Sequence, residues 1–242
     1  MYKNNYVTAI ILAAGIGKRM NIHIPKQYIV LSNETILKRT IKNVLKTKYI
    51  DECILVVRKE DIKKAKEIIQ DITRNNTKNN DFKIKYVIGG KERQDSAYSG
   101  IKAVSDNTDI ILVHDGVRPF IKKEIIEDAI KSVEITGSVA TAVSVKDTIK
   151  YTKDGGKIVE STPRRENLRA IQTPQVFKKD ILKKAYDIAY NEKYYSTDDA
   201  SLVEYAGGDV YLIEGDYSNI KITTKEDLIL ANAIIQEKNG EY

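Results

Sequence analysis

The chain has 242 residues, 42% of them hydrophobic, and 40 Lys and Arg stand against 34 Asp and Glu, a net charge of +6. That length buries a full core and fits one large α/β domain or two small ones, and strand and helix patterns repeating to the end favour a single domain over 1–242. The charge excess is modest for a nucleic-acid binder and suits small anionic substrates, one cysteine excludes a disulfide framework or a Cys-based zinc site, and no apolar segment approaches the ~18 residues that span a membrane. The opening MYKNNY lacks the apolar region of a signal peptide, so the expectation is a cytoplasmic protein with no nucleic-acid or membrane partner.

Val7 to Leu12 predicts a strand that delivers the chain into a loop with Gly15 and Gly17, then Lys18, Arg19, Pro25, Lys26 and Gln27. A glycine-rich turn after a strand lets backbone N–H groups approach an anion, and the nearby cations suit a triphosphate. An ordinary strand-to-helix turn with solvated lysines is the plainer alternative. A dinucleotide fingerprint needs a third glycine where Met20 stands, and a Walker A loop needs Ser or Thr where Arg19 stands, so neither motif is present.

Asn33 is placed as the cap of a helix in which Ile36, Leu37, Ile41, Val44 and Leu45 recur at helical spacing. A strand at 53–57, an amphipathic helix at 61–72, a polar surface loop at 74–81 and a strand at 83–88 follow. Gly89-Gly90 ends that strand and opens a helix at 92–104. A strand at 109–113 carries His114, Asp115, Gly116, Val117, Arg118 and Pro119 just past its end. Strands alternating with helices indicate a mainly parallel sheet, and ligands bind beyond the strand C-termini of such sheets. The clusters Gly15 to Lys26, Gly89 to Ser96 and His114 to Arg118 each follow a predicted strand, so they should converge on one edge.

After a helix at 123–136 and a strand at 138–145 the pattern changes. Thr148 to Tyr151 and Lys157 to Glu160 flank Asp154-Gly155-Gly156, a β-hairpin signal. Such an insertion, about 146–170, either projects toward a partner subunit or packs on its own domain. Beyond Gln172-Thr173-Pro174-Gln175 come a helix at 179–190, a helix capped by Thr197 or Asp198, strands at 209–213 and 220–222, and a final helix at 225–237. Asp198 and Asp199 read as a cap and a helix-dipole partner rather than a metal pair.

The AAGxGxRM loop with Pro25-Lys26 resembles the signature of sugar-nucleotide-type nucleotidyltransferases. VHDGVRP at 113–119, VKDTIK at 145–150, QTPQVF at 172–177, STDDASLVE at 196–204 and NIKITTKEDL at 219–228 follow in order. Together they resemble the 2-C-methyl-D-erythritol 4-phosphate cytidylyltransferases of the non-mevalonate isoprenoid pathway over roughly residues 6 to 235. The ribitol 5-phosphate cytidylyltransferases of teichoic-acid synthesis share most of these motifs and stand as the second reading. Val117 and the ending ANAIIQ at 231–236 lean toward that sister group; AAG at 13–15 and STDDASLVE lean toward the first.

The resemblance implies a Rossmann-like, three-layer nucleotidyltransferase fold with an inserted β-hairpin arm. It also implies transfer of CMP from CTP to a polyol phosphate, with Mg²⁺ accompanying the triphosphate. In-line attack needs no covalent step from the protein, so positioning and cations carry the catalysis. By resemblance Arg19, Lys26 and Lys221 are the catalytic cations. Ala13, Ala14, Gly15, Gly17, Gly90, Lys91, Ser96, Asp115 and Gly116 contact CTP, the backbone of Ala13, Gly90 and Lys91 and the Ser96 hydroxyl reading cytosine. Asp115 and Arg118 contact the acceptor with Thr148 and Arg165, the latter two from the other subunit of a homodimer, and no residue is assigned to a metal. His114 is read as structural, because a phosphate monoester is already anionic near neutral pH.

Overall fold

The computed structural model describes residues 1–17, 24–74 and 83–240. The strands at 7–12, 52–57 and 110–115 form where aliphatic runs permit burial on both faces. β1 (Val7–Leu12) is buried at every position and leads past a 3₁₀ turn at Lys26–Tyr28 to a two-residue hairpin, β2 (Val30–Leu31) and β3 (Glu34–Thr35). Next come α1 (Ile36–Val44), β4 (Glu52–Val57), α2 (Ile62–Arg74), β5 (Lys83–Ile88), α3 (Arg93–Lys102) and β6 (Ile110–Asp115). The second half supplies α4 (Lys123–Thr136), β7 (Ser138–Ser144), β8 (Tyr151–Lys153), β9 (Ile158–Ser161), β10 (Arg169–Lys178) and α5 (Lys179–Asn191). The chain closes with α6 (Ala200–Tyr205), β11 (Tyr211–Glu214) and α7 (Lys225–Asn239).

Seven strands form one sheet in the order β11-β7-β10-β6-β1-β4-β5. β1 pairs parallel with β4 and β6, β4 with β5, and β7 with β11; β10 alone runs antiparallel, between β6 and β7. Period-two alternation divides β1 between two cores. Val7, Ala9 and Ile11 meet Leu37 and Ile41 of α1, Ala65 and Ile69 of α2, and Ile126 and Ile130 of α4. Ile10 and Leu12 belong with Ala97 and Ile101 of α3, Leu182, Ala185 and Tyr186 of α5, and Leu202 and Val203 of α6. Helices thus cover both faces in three layers, as expected from the sequence. A third cluster, Leu31, Ile36, Val117, Phe120, Ile222, Ala231, Ile234 and Ile235, docks α7 beside the end of β6.

Several local expectations change. Thr35, not Asn33, caps α1: its Oγ1 accepts from Lys38 N at 3.2 Å, while Asn33 occupies the β2–β3 turn. Residues 172–175 lie within the long strand β10, whose pairing to β7 shifts register between Ile171 and Gln175. The expected strand at 220–222 is an irregular segment; Ile222 N donates to Val117 O at 3.0 Å and its side chain enters the third core cluster. The hairpin is present with Asp154–Gly156 as its turn, but its strands are Tyr151–Lys153 and Ile158–Ser161, exposed throughout. Most of the polar loop expected at 74–81 lies outside the described residues.

Candidate active site

Because β1, β4, β5 and β6 are parallel, their C-termini share one edge of the sheet, and the antiparallel β10 begins there. Ladder-like hydrogen bonds continue past the strand ends and lock the loops together: Ala13 N to Val56 O at 2.8 Å, Gly89 N to Val57 O at 2.9 Å, Gly116 N to Leu12 O at 2.8 Å. The described parts of the three sequence clusters therefore converge on this edge. Gly17 has φ of 72°, and a Cβ there would stand 3.2 Å from Lys26 Cγ, so Gly17 lies against the Lys26 stem. Gln27 Nε2 donates to Ala13 O at 2.8 Å and ties that turn to the end of β1. Arg19, Lys18 and His23 lie outside the described residues.

The loop after β5 presses against its neighbours. A Cβ on Gly89 would stand 2.4 Å from Ala14 Cβ, and one on Gly90 2.3 Å from Asp95 Cβ, so only glycine fits either position. Ser96 Oγ accepts from Gly90 N at 3.1 Å and donates to Glu92 O at 3.1 Å. Its hydroxyl thus braces the glycine turn, with one lone pair left over. Lys91 is exposed beside it.

Asp115, buried at the end of β6, faces three cations: Lys221 Nζ at 2.9 Å and Arg118 Nε at 3.5 Å from Oδ2, and Arg93 Nε at 3.5 Å from Oδ1. Burial alone would raise its pKa, but Arg93, Lys221 and Arg118, in that order, hold it well below the usual carboxylate range. These residues border a cavity of about 210 Å³ together with Thr173, Thr197 and Asp198. The buried Nε–H of Arg118 makes no close hydrogen bond among the described residues and faces Asp115 Oδ2 at the longer 3.5 Å. Arg118 Nη1 donates to Asn219 O at 2.8 Å, and Asn219 Nδ2 reaches Gln172 Oε1 and Thr173 O, a clamp that carries Lys221 to the cavity.

Fully buried His114 sits behind this carboxylate, Nε2 3.2 Å from Arg118 O and Nδ1 2.9 Å from Thr173 Oγ1. A carbonyl accepts only, so the proton is assigned to Nε2, and Thr173 donates to Nδ1 while accepting from Asp115 N at 3.1 Å. Burial lowers the imidazole pKa to about 4, so at neutral pH the ring is an uncharged brace.

Sequence reasoning missed Arg93. It lies in the Gly89–Ser96 cluster, which was the available signal, but its partners Asp115 and Asp199 are remote in the chain. Asp198 does cap, accepting from Ser201 N at 3.0 Å, whereas Asp199 turns to Arg93 instead of serving α6. Thr148 and Arg165 lie on the exposed arm; Arg165 Nη1 donates to Lys146 O at 2.8 Å and neither residue borders the cavity of its own chain. The neighbouring Arg164 pairs with Glu166 at 2.7 Å. Among the described residues no group of three or more His, Cys, Asp or Glu is arranged to hold a metal ion.

The family model of the 2-C-methyl-D-erythritol 4-phosphate cytidylyltransferases (IspD) matches residues 7–237. The chain belongs to this family. It is 45% identical over 235 residues to the enzyme of that name from Clostridioides difficile strain 630, covering 97% of this chain and 96% of that one. With the Clostridium perfringens SM101 enzyme it shares 46% identity over 231 residues, 95% of this chain and 99% of that one. Among solved structures it resembles the 4-diphosphocytidyl-2C-methyl-D-erythritol synthase of Anaerococcus prevotii, with TM-score 0.84 and 36% identity over 97% of this chain and 100% of that one. The cytidylyltransferase of Thermus thermophilus gives 0.74 and 26%, covering 96% and 99%. IspD membership carries the α/β nucleotidyltransferase fold and cytidylyltransferase activity.

Proposed function

We propose that this IspD-family chain transfers the cytidylyl group of CTP to 2-C-methyl-D-erythritol 4-phosphate, giving the CDP-polyol and pyrophosphate. The observation that carries the reading is the Asp115 carboxylate ringed by Arg93, Arg118 and Lys221 where the three loops meet. The names borne by its relatives favour this acceptor over ribitol 5-phosphate.

In the proposed reaction a phosphate oxygen of the acceptor attacks the α-phosphorus of CTP in line, and the bond to pyrophosphate breaks. A phosphate monoester with a second pKa of about 6 is anionic at neutral pH, so no general base is required. Lys26 and Arg19 take the triphosphate, with backbone groups at Ala13, Ala14, Gly15 and Gly17 around it. Lys221 steadies the α-phosphate and the incoming oxygen, where charge builds in the transition state. Gly90, Lys91 and the remaining lone pair of Ser96 receive cytosine; Asp115 and Gly116 take the ribose. Asp115 and Arg118 receive the acceptor, completed by the partner's Thr148 and the partner's Arg165 in a cytoplasmic homodimer.

The chain's own described donors do not form a magnesium cage, and Asp115 is already engaged by cations. A magnesium ion fits only as a companion of CTP, held by phosphate oxygens and water, and no step here relies on it.

Pyrophosphate release measured with CTP and each polyol phosphate separately tests the reading. Turnover with the methylerythritol acceptor is expected. Activity with ribitol 5-phosphate alone transfers the chain to the second reading, and silence with both rejects each of them.

A further inference from the structure

Arg93 joins the nucleotide loop to the acceptor side of the cavity, yet the reaction above gives it no task. It opens α3, three residues past Gly90, and its guanidinium faces two carboxylates at once. Nη2 donates to Asp199 Oδ2 at 2.8 Å, and Nε lies 3.5 Å from Asp115 Oδ1. Asp199 is itself gripped: fully buried, it accepts from Tyr186 OH at 2.5 Å through Oδ1, while its backbone N–H donates to Gln175 Oε1 at 3.1 Å. Tyr186 is buried in α5 and stacked on Tyr98 of α3 with ring centroids 5.5 Å apart. A relay of contacts, Tyr186–Asp199–Arg93–Asp115, thus runs from the core beneath α3 and α5 to the reacting edge.

Stability is a weak reason for this arrangement, because desolvating a buried ion pair offsets most of its attraction and apolar residues of similar shape serve as well. What the pair supplies is placement. Lys221 and Arg118 both approach Oδ2 of Asp115, and among the described residues Arg93 is the cation against Oδ1. Remove it and the carboxylate is drawn to one side, toward Lys221. A planar guanidinium can hold Asp115 and Asp199 together; the single ammonium of lysine cannot present that fork.

We propose that Arg93, braced by Asp199 and the Tyr186 hydroxyl, is a positioning residue that sets the Asp115 carboxylate for the acceptor polyol. The proposal rests on the assignment of Asp115 to the acceptor made above. It divides the work of one loop: Gly90 and Ser96 serve the cytosine, whereas Arg93 acts through Asp115 and chiefly on the acceptor.

The test measures pyrophosphate release and thermal midpoints for wild type, Arg93→Lys, Tyr186→Phe and the double variant, varying each substrate in turn. Arg93→Lys should lower kcat/KM for 2-C-methyl-D-erythritol 4-phosphate by about ten-fold or more and Tyr186→Phe by about three- to ten-fold, with a smaller rise in KM for CTP, about three-fold at most, because Asp115 also meets the ribose. Because Tyr186 acts through Arg93, the double variant should fall no further than Arg93→Lys alone. Equal losses toward both substrates, multiplying losses in the double variant, or an unchanged acceptor kcat/KM overturn the proposal. If Arg93→Lys fails to fold, Tyr186→Phe, which removes one hydroxyl and keeps the ring stack, decides by the same split between substrates. Failure of the underlying reading appears separately, as a wild type that does not turn over this acceptor, and the proposal falls with it.

Discussion

Lys26 packs its stem over Gly17 at the start of a 3₁₀ turn, where its ammonium can follow a triphosphate. Lys26→Ala removes one cation aimed at developing charge and should lower turnover by about 10²-fold or more with the thermal midpoint unchanged. A normal rate at saturating CTP would show that the phosphates lie elsewhere. His114 offers a different prediction. Its pKa falls from 6.5 to about 4 in the folded chain, so unfolding takes up a proton and the stability this ring contributes is present above about pH 6.5 and lost as pH falls through about 4. At about 1.4 kcal/mol per pH unit, that difference approaches about 3 kcal/mol. Urea unfolding of wild type and His114→Gln should show a stability gap that narrows by this order between pH 7 and pH 4; a constant gap contradicts it. Asp115, Arg118 and Lys221 were legible because each stands in a short motif beside a strand end or turn. Arg93 was not, since its hydrogen-bond partner Asp199 lies 106 residues away and no local pattern reports such a pair.

Periodicity reveals an element when one face is buried and local turn chemistry agrees. α1 and α2 met the first condition and were visible from their apolar spacing, although the cap of α1 fell on Thr35 rather than Asn33. β10 was hidden because Pro174 sits mid-strand and the ladder to β7 shifts there, breaking the pattern a strand normally shows. Ile220-Lys221-Ile222 misled in the opposite sense: the alternation mimics a strand, but Ile222 belongs to the α7 cluster and the segment pairs with no sheet strand. At the start of α3, Glu92 and Asp95 form a reciprocal capping box against the Gly90 turn. A methyl group on Gly90 would collide with Asp95, so Gly90→Ala should destabilise the chain by about 1–3 kcal/mol. It should also raise KM for CTP more than KM for the acceptor. Equal effects on both constants would mean that this turn does not face the nucleotide.

At the scale of the molecule, alternating strands and helices made the three-layer sheet legible, while the order of its strands was not, because pairing between distant segments leaves no local trace. β8 and β9 stand exposed, with Tyr151, Ile158 and Val159 more than half uncovered and the last two, as strand neighbours, on opposite faces of the arm. If the arm completes the neighbour's site, Lys26→Ala and Arg165→Ala chains, each inactive as a homodimer, should complement when mixed and reannealed. Random pairing leaves one intact site in each mixed dimer, about a quarter of wild-type activity overall. Mixtures no better than the separate variants would place Arg165 in its own chain's site or outside any site.

The clamp that brings Lys221 to Asp115 also makes the site depend on the far end of the chain. β1, β4, β5 and β6 can pair once about half the chain exists, but the cation nearest Asp115 comes from residue 221 and is seated by Asn219, Ile222 and the docking of α7. A chain interrupted before Asn219 would therefore lack the assembled cavity whatever sheet it retained, so the charge arrangement at Asp115 is complete only in a molecule whose C-terminal segment is in place.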